Sequence, residues 1–348
     1  MADALEPQAL DPSLVEAVDA LVTDAGITVN RAMVTRILTT GLLLGIEQTS
    51  RLDLKLTSAA LAEMREAFRL FAPFRDVPKV SVFGSARTRM DDPSYLQARD
   101  LSHDLAAAGW MSVTGAGPGI MQAAAEGAGP AMSLGVSIRL PFEERANPVV
   151  AEHNQIVAMK YFFTRKLMLV KESRGFVCLP GGFGTLDEMF ELLTLQQTGK
   201  ATPVPIVLLN APGSDFWQGL KRFIDEQMVP IGVIAADDFD RVLITDSADA
   251  AVDEVLRFWH NYESLRWVGD QLVLRLRNEP TDAEIAALND QFGDMCERGG
   301  IAKTPPLAPE RSDRDQLDLP RIVLVPRERQ IGTLYRLIHA LNALESAR

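Results

Sequence analysis

Residues 176–191, Phe-Val-Cys-Leu-Pro-Gly-Gly-Phe-Gly-Thr-Leu-Asp-Glu-Met-Phe-Glu, constrain the fold more than any other part of this 348-residue chain. Residues 176–179 are a short apolar run suited to a buried parallel strand, and Leu186, Met189, Phe190, Leu192 and Leu193 then recur at helical spacing. Pro180 ends the strand. Gly181 and Gly182 permit backbone angles closed to other residues, and Gly184 with Thr185 opens a helix whose first amides have no partner inside it. Amides converging on one point, backed by the positive end of the helix dipole, make an anion site. Asp187 and Glu188 are expected in the first turn of that helix, where they tolerate a bound phosphate only by facing the sugar beyond it.

Two further strand-to-glycine transitions precede this one. Residues 79–83, Lys-Val-Ser-Val-Phe, run into Gly84-Ser85-Ala86-Arg87, the pattern of the first strand of a nucleotide-binding α/β unit. A helix is expected over 94–108, closed by Gly109. A second strand over 110–114 ends in Gly115-Ala116-Gly117-Pro118-Gly119, and a helix follows over 120–127. The Gly-x-Gly-x-Gly spacing departs from the dinucleotide fingerprint, and no acid ends a clear following strand to hold a cofactor ribose. A mononucleotide fits better. Strands over 134–140, 203–209 and 241–245 alternate with helices over 164–172 and 216–227, with a loop from Pro141 to Pro148. The alternation specifies a doubly wound α/β fold, a parallel sheet covered on both faces, with ligand where the Gly-rich turns meet at the carboxyl ends of the strands.

The flanks read differently. Residues 1–75 form a helical N-terminal extension, with helices starting at Pro12-Ser13, after a cap at Asn30, and at Thr57-Ser58. Its apolar stripes suit packing or oligomerisation; Arg31, Arg36 and Arg51 leave an effector site open as the alternative. From about Gly269 the pattern becomes a strand over 271–277, a capped helix over 281–298, a Pro-rich charged linker over 303–320, a strand over 321–326 and a last helix over 330–343. The expected division is therefore 1–75 helical extension, 76–265 nucleotide-binding catalytic domain, and 266–348 small α+β appendix.

A net charge of -12 argues against nucleic acid as a partner, because a phosphate backbone calls for a basic face. Cys178 and Cys296 lie far apart, which suggests neither a disulfide framework nor a zinc site and fits a reducing cytoplasm. His103, His153, His260 and His339 lack the spacing of metal ligands, and no metal or cofactor is expected. No apolar run reaches membrane-spanning length, and the acidic start from Met1 to Pro12 has none of the regions of a signal peptide.

Phe-Gly-Ser-Ala around Gly84, Gly-Ala-Gly-Pro-Gly-Ile-Met from Gly115, Arg165-Lys166, and Pro-Gly-Gly-Phe-Gly-Thr-Leu-Asp-Glu from Pro180 together resemble the Lonely Guy family, in order over residues 79–257. Its characterised members are cytokinin-activating phosphoribohydrolases, and many relatives were labelled lysine decarboxylases without supporting chemistry. The resemblance implies a Rossmann-like fold and hydrolysis of the N-glycosidic bond of a nucleoside 5'-monophosphate, releasing free base and ribose 5-phosphate. It places the catalytic pair on Arg165 and Glu188. Substrate contacts then fall on Gly84, Ser85, Gly115, Gly117, Gly119, Lys166, Gly181, Gly182, Gly184 and Thr185. The extensions are similar to those of longer bacterial relatives that cleave ordinary purine or pyrimidine monophosphates. A homodimer or higher homo-oligomer is also implied, with the apolar stretch 156–170 near the contact.

The same chemistry follows from residue types. Breaking a ribose-to-base bond passes through an oxocarbenium-like state, which needs negative charge near the sugar, a positioned water and help for the departing base. Glu188, a turn past the cradle, suits the first need. Arg165 could orient the phosphate, orient Glu188, or donate to the leaving base. A solvated ion pair between two helices would use the same two residues. Lys166 invites Schiff-base chemistry only if its pKa is depressed in a pocket. Two other classes share the pattern: a nucleotide or cofactor carrier without turnover, and a pyridoxal-phosphate decarboxylase, for which no motif is present.

Overall fold

The computed structural model describes residues 11–139, 147–327 and 331–347. The start of the chain through residue 10, the expected loop from Pro141 through residue 146, and the expected helix start at Gln330 lie outside the described residues. The chain divides into two compact units, Met1–Arg65 and Glu66–Arg348.

In the first unit, Asp11 caps α1 (Pro12–Asp24) by accepting the Ser13 amide at 2.9 Å. The second helix, α2 (Arg31–Ile46), follows Asn30, which takes a left-handed conformation with φ 53° and makes no side-chain cap. Arg31 reaches back to Asp19 at 2.7 Å and to the Thr23 hydroxyl at 2.6 Å, so it ties α2 to α1. The third helix, α3 (Arg51–Phe71), starts six residues before the expected Thr57. The signal was a cap: the Ser50 hydroxyl accepts the Asp53 amide at 3.2 Å and donates to its carboxylate at 2.7 Å.

The second unit is built on a seven-stranded parallel sheet. Its first half runs β1 (Lys79–Phe83), α4 (Pro93–Ala107), β2 (Met111–Thr114), α5 (Ile120–Ala128), β3 (Ser133–Ile138), the short α6 (Pro148–Ala151) and β4 (Ile156–Met159). The second half runs α7 (Phe162–Glu172), β5 (Gly175–Cys178), α8 (Phe183–Gln197), β6 (Ile206–Leu209), α9 (Phe216–Phe223), β7 (Val242–Thr245) and α10 (Ala248–Arg257). Strand order is β4-β3-β2-β1-β5-β6-β7. The central strands β1, β2, β5 and β6 are buried along their whole length, as strands covered on both faces must be. The fold is therefore α/β, doubly wound and Rossmann-like. The chain leaves β1 toward β2, β3 and β4, then crosses back to β5, so the winding reverses between β1 and β5 and opens a crevice at their carboxyl ends. One strand escaped the sequence pattern: β4 is four residues long with a mixed burial pattern at the sheet edge.

A second, antiparallel sheet follows, ordered β10-β11-β9-β8, from β8 (Tyr262–Val268), β9 (Gln271–Leu276), β10 (Cys296–Lys303) and β11 (Arg321–Pro326). Helices α11 (Asp282–Phe292), α12 (Ala308–Asp313) and α13 (Ile331–Asn342) join it. Strand β8 begins before the expected change at Gly269, which instead makes the hairpin turn with φ 63°. The helix expected to run to Arg298 stops at Phe292. Residues from Cys296 leave it to pair with β11, burying Cys296 and Ile301. The charged linker also holds structure, because α12 carries Glu310 into the interior. Glu310 is fully buried and takes Arg275 at 2.8 Å and Arg321 at 2.7 Å, while Arg275 also reaches Asp315 at 2.7 Å. On the main sheet, α13 docks through the Tyr335 hydroxyl, which accepts the Val204 amide and donates to its carbonyl, each at 3.0 Å.

Burial alone would raise the Glu310 pKa, but the Leu307 amide and the two arginines hold it below its ordinary value of 4.5. A depressed carboxyl contributes stability that is present above 4.5 and lost as pH falls through the lowered value. Glu310→Gln leaves two buried guanidinium groups facing a neutral amide, and should cost on the order of 3 kcal/mol. Denaturant midpoints of the two proteins at neutral pH measure it; equal midpoints would show that Asp315 alone neutralises the cluster.

Candidate active site

The carboxyl ends of β1, β2, β3 and β5 surround a cavity of about 670 Å³. Its walls include Gly84, Ser85, Ala86 and Arg87 after β1, Gly115 to Pro118 after β2, Ser137 to Arg139 from β3, and Gly182, Gly184, Thr185, Asp187 and Glu188 from the turn and helix after β5. Arg165 and Phe162 enter from α7, and Ile156 and Ala158 from β4. Of the residues expected at the site, Gly84, Ser85, Gly115, Gly117, Arg165, Gly182, Gly184, Thr185 and Glu188 meet here.

The cradle differs in detail from the sequence expectation. Helix α8 begins at Phe183 with Gly182 as its cap, one turn earlier than two acids in the first turn would require, so Asp187 and Glu188 sit in the second turn. The Thr185 and Leu186 amides both donate to the Gly182 carbonyl, at 3.0 and 3.2 Å. The helix-start amides left for an anion are therefore those of Phe183 and Gly184. Ser85 joins the two central turns, since its amide donates to the Pro180 carbonyl at 3.3 Å and its carbonyl accepts the Ile120 amide at 3.1 Å.

Three expected contact residues stand behind the wall. Gly119 has φ 64°, and a Cβ there would run into the Ser85 carbonyl; its role is the close approach of the first and second Gly-rich turns. Gly181 packs against the Thr185 side chain. Lys166 lies on the far side of α7, with Nζ 2.7 Å from both Asp187 and Glu191. Burial opposes its charge, but these carboxylates outweigh burial and raise its pKa, the opposite of what a Schiff-base lysine needs. Asp187 also borders the cavity. Its carboxylate is held by Lys166 and is 55% exposed.

Arg165 and Glu188 form the core of the site. The Arg165 guanidinium is 12% exposed and packs directly over Gly115, where any Cβ would collide with it. Its Nε donates to the Val136 carbonyl at 3.0 Å, and one terminal nitrogen reaches Glu188 Oε1 at 3.3 Å. Glu188 is 4% exposed, and its Oε2 is buried without a hydrogen-bond partner among the described residues. Desolvation pushes its pKa up to about 7, against the pull of Arg165 and Lys166. Arg165 is likewise lowered by burial, although Glu188 opposes the shift, and a guanidinium stays charged at neutral pH. The Cys178 thiol beneath is buried and pushed up, so it offers no nucleophile.

Sequence reasoning did not pick out Arg87, Met121, Ser137, Arg139 and Phe162 as lining. Arg87 adjoins Gly84-Ser85-Ala86 and Met121 ends the motif that starts at Gly115, so both were within reach; Ser137, Arg139 and Phe162 depend on which strands and helices become neighbours. Asn147 was also missed. Its amide accepts no share of the cavity wall, yet it donates backbone N–H to the Ala116 carbonyl at 2.9 Å and side-chain N–H to the Gly117 carbonyl at 3.3 Å, steadying a turn in which Ala116 has φ 59°. Among the described residues no group of three or more acidic, histidine or cysteine side chains could hold a metal ion, and no helix is long and apolar enough to cross a membrane.

Residues 119–255 match the family described as possible lysine decarboxylase. The chain is 36% identical over 87 residues to a probable cytokinin riboside 5'-monophosphate phosphoribohydrolase of Arabidopsis thaliana, covering 25% of this chain and 40% of that protein. It is 35% identical over 118 residues to a cytokinin riboside 5'-monophosphate phosphoribohydrolase of Oryza sativa subsp. japonica, covering 34% of this chain and 44% of that one. The chain thus spans less than half the length of these two relatives. The molybdenum cofactor binding protein of Rippkaea orientalis superimposes with a TM-score of 0.38 at 23% identity, over 51% of this chain and 94% of that one, a likeness too loose to carry a ligand across. These partial matches agree with the resemblance to the Lonely Guy family that the glycine turns, Arg165 and Glu188, gathered at one cavity, also carry.

Proposed function

We propose that this protein hydrolyses the N-glycosidic bond of nucleoside 5'-monophosphates, releasing the free base and ribose 5-phosphate. The observation that carries the reading is Glu188, a desolvated carboxylate with one oxygen on Arg165 and the other unpartnered among the described residues, at the edge of an amide cradle. Phosphate in the cradle at Phe183 and Gly184 puts the ribose beside Glu188, whose free oxygen accepts a sugar hydroxyl and whose charge favours the developing cation. The base then lies toward β3 and β4, between Met121, Ile156, Ala158 and Phe162. Arg165, held by the Val136 carbonyl, fixes Glu188 and offers donors toward the departing base. The matched relatives' names support this bond and this phosphate; the cavity leaves the base open, from cytokinin to ordinary purine and pyrimidine ribotides.

Glu188→Gln keeps the shape and removes the charge, so turnover should fall about a hundredfold or more while nucleotide affinity holds. Asp187→Asn, at the rim and engaged by Lys166, should change turnover little. A raised carboxyl pKa means that the charged form gains population as pH rises, so kcat/KM should climb through about pH 7 and level off, with that limb missing in Glu188→Gln. Free-base release from a panel of nucleoside monophosphates measures all three. Tight binding without release would instead make the protein a carrier.

The phosphate should be indispensable. Its removal deletes charge-assisted hydrogen bonds of about 1.5 to 3 kcal/mol each. Comparing adenosine with its 5'-monophosphate tests this, and equal turnover would sink the cradle as a phosphate site.

We also propose a homodimer with α7 and α8 at the contact, because Phe162, Phe163 and Leu167 on α7 and Phe190 on α8 are exposed, and Phe183 is 92% exposed. Light scattering at micromolar concentration should return at least twice the mass of one chain; a monomer would refute it.

A further inference from the structure

A second cleft, of about 690 Å³, lies at the opposite end of the central strands of the parallel sheet. Three strands that end at the candidate active site begin here. Lys79 opens β1, and Trp110 and Arg174 immediately precede β2 and β5. Strand carboxyl ends form the usual ligand crevice of such a sheet, so a cleft at the amino ends is a separate feature.

Its charge is unusual for this acidic chain. Arg75, Lys79, Lys171, Arg174 and Arg277 line it, against Asp76, Glu172 and Glu263. Five cations and three carboxylates leave a local charge of +2 in a protein whose net charge is -12. Much of the cationic capacity is uncommitted. Lys171 pairs with Glu172 and Arg174 with Glu263 at 3.5 Å, while among the described residues the Arg277 guanidinium spends only its Nε, on the Trp259 carbonyl at 3.2 Å. Lys79 is 2% exposed and gives two N–H groups to the Phe74 and Val77 carbonyls, at 2.6 and 2.9 Å. Burial lowers its pKa, so an anion nearby would relieve a charge held without a full counterion. Arg174 lies 4.9 Å from the Trp259 ring centre, which fixes its plane at the wall. One acceptor is also open: Glu263 Oε2 is buried without a hydrogen-bond partner among the described residues.

We propose that this cleft binds a small, hydroxylated phosphate monoester, its phosphate among Lys79, Arg75 and Arg277 and a hydroxyl on Glu263. A phosphate monoester approaches a dianion at neutral pH and matches the +2 lining, whereas a single carboxylate would leave half of it unbalanced. The site is independent of the hydrolase reading, since it shares no residue with the first cavity.

Glycerol 3-phosphate is the probe, with glycerol as the uncharged control. Trp110 and Trp259 line this cleft, while Trp217 and Trp267 line neither cavity, so a ligand-dependent emission change that is lost in Trp110→Phe with Trp259→Phe reports this site. Glycerol 3-phosphate should change the emission saturably, more weakly as salt rises, and glycerol should not. Arg75 and Arg277 are both exposed at the rim, so Arg75→Gln with Arg277→Gln should keep the fold and weaken binding at least about tenfold. Arg277→Lys, which keeps the charge, should restore most of the affinity when Arg75 is intact. No saturable change in the wild-type protein, an equal response to glycerol, or an unchanged affinity in the double variant would each overturn the proposal.

Discussion

The site depends on keeping a carboxylate charged in a place that disfavours charge. Glu188 sits in a wall 4% exposed to solvent, and one guanidinium at 3.3 Å is its main counterion. Neither residue would hold that position alone. Arg165 is anchored from behind by the Val136 carbonyl and admitted only because Gly115 has no side chain. The result is a group poised near neutrality, with burial raising its pKa and the guanidinium opposing that shift. A fully solvated pair of the same residues would be worth little and would do no chemistry.

The geometry comes from the winding of the sheet. Reversal between β1 and β5 leaves their two turns facing one another, and the Ser85 to Pro180 hydrogen bond locks them together. In the proposed reading, phosphate, sugar and base take separate stations along one cavity: amides at the start of α8, the acid one turn further, and apolar side chains toward β4. The same parallel strands gather their amino ends at a second, cation-rich cleft. A parallel sheet thus offers two faces for ligands, and in this chain the second is lined by cations that the first does not use.

The small antiparallel sheet follows a different rule. Its interior carries Arg275, Arg321 and Glu310, charges whose desolvation is offset because both arginines meet Glu310, and Arg275 also Asp315, within hydrogen-bond distance. That arrangement was hidden in a segment of prolines and charges that resembles a linker, because composition does not say which acid turns inward.

Much of the architecture was legible in the chain itself. Apolar runs ending in glycine mark β1, β2 and β5, since a strand buried on both faces has no room for polar residues and the turn after it needs glycine. Glu188 stood out as an acid just past the last of those turns, whereas Arg165, on the helix after β4, was placed by the resemblance. Where the local signal was weak or divided, only the assembled structure decided. Edge strand β4, hairpin strand β8 and the bulged β10 owe their conformation to partners distant in sequence. The same holds at the site. Lys166 and Arg165 are adjacent in the chain, yet one faces the cavity and the other pairs with Asp187 and Glu191 behind it. Consecutive residues on a helix point about 100° apart, so motif spacing brings residues to the neighbourhood of a site while packing determines which of them enters it.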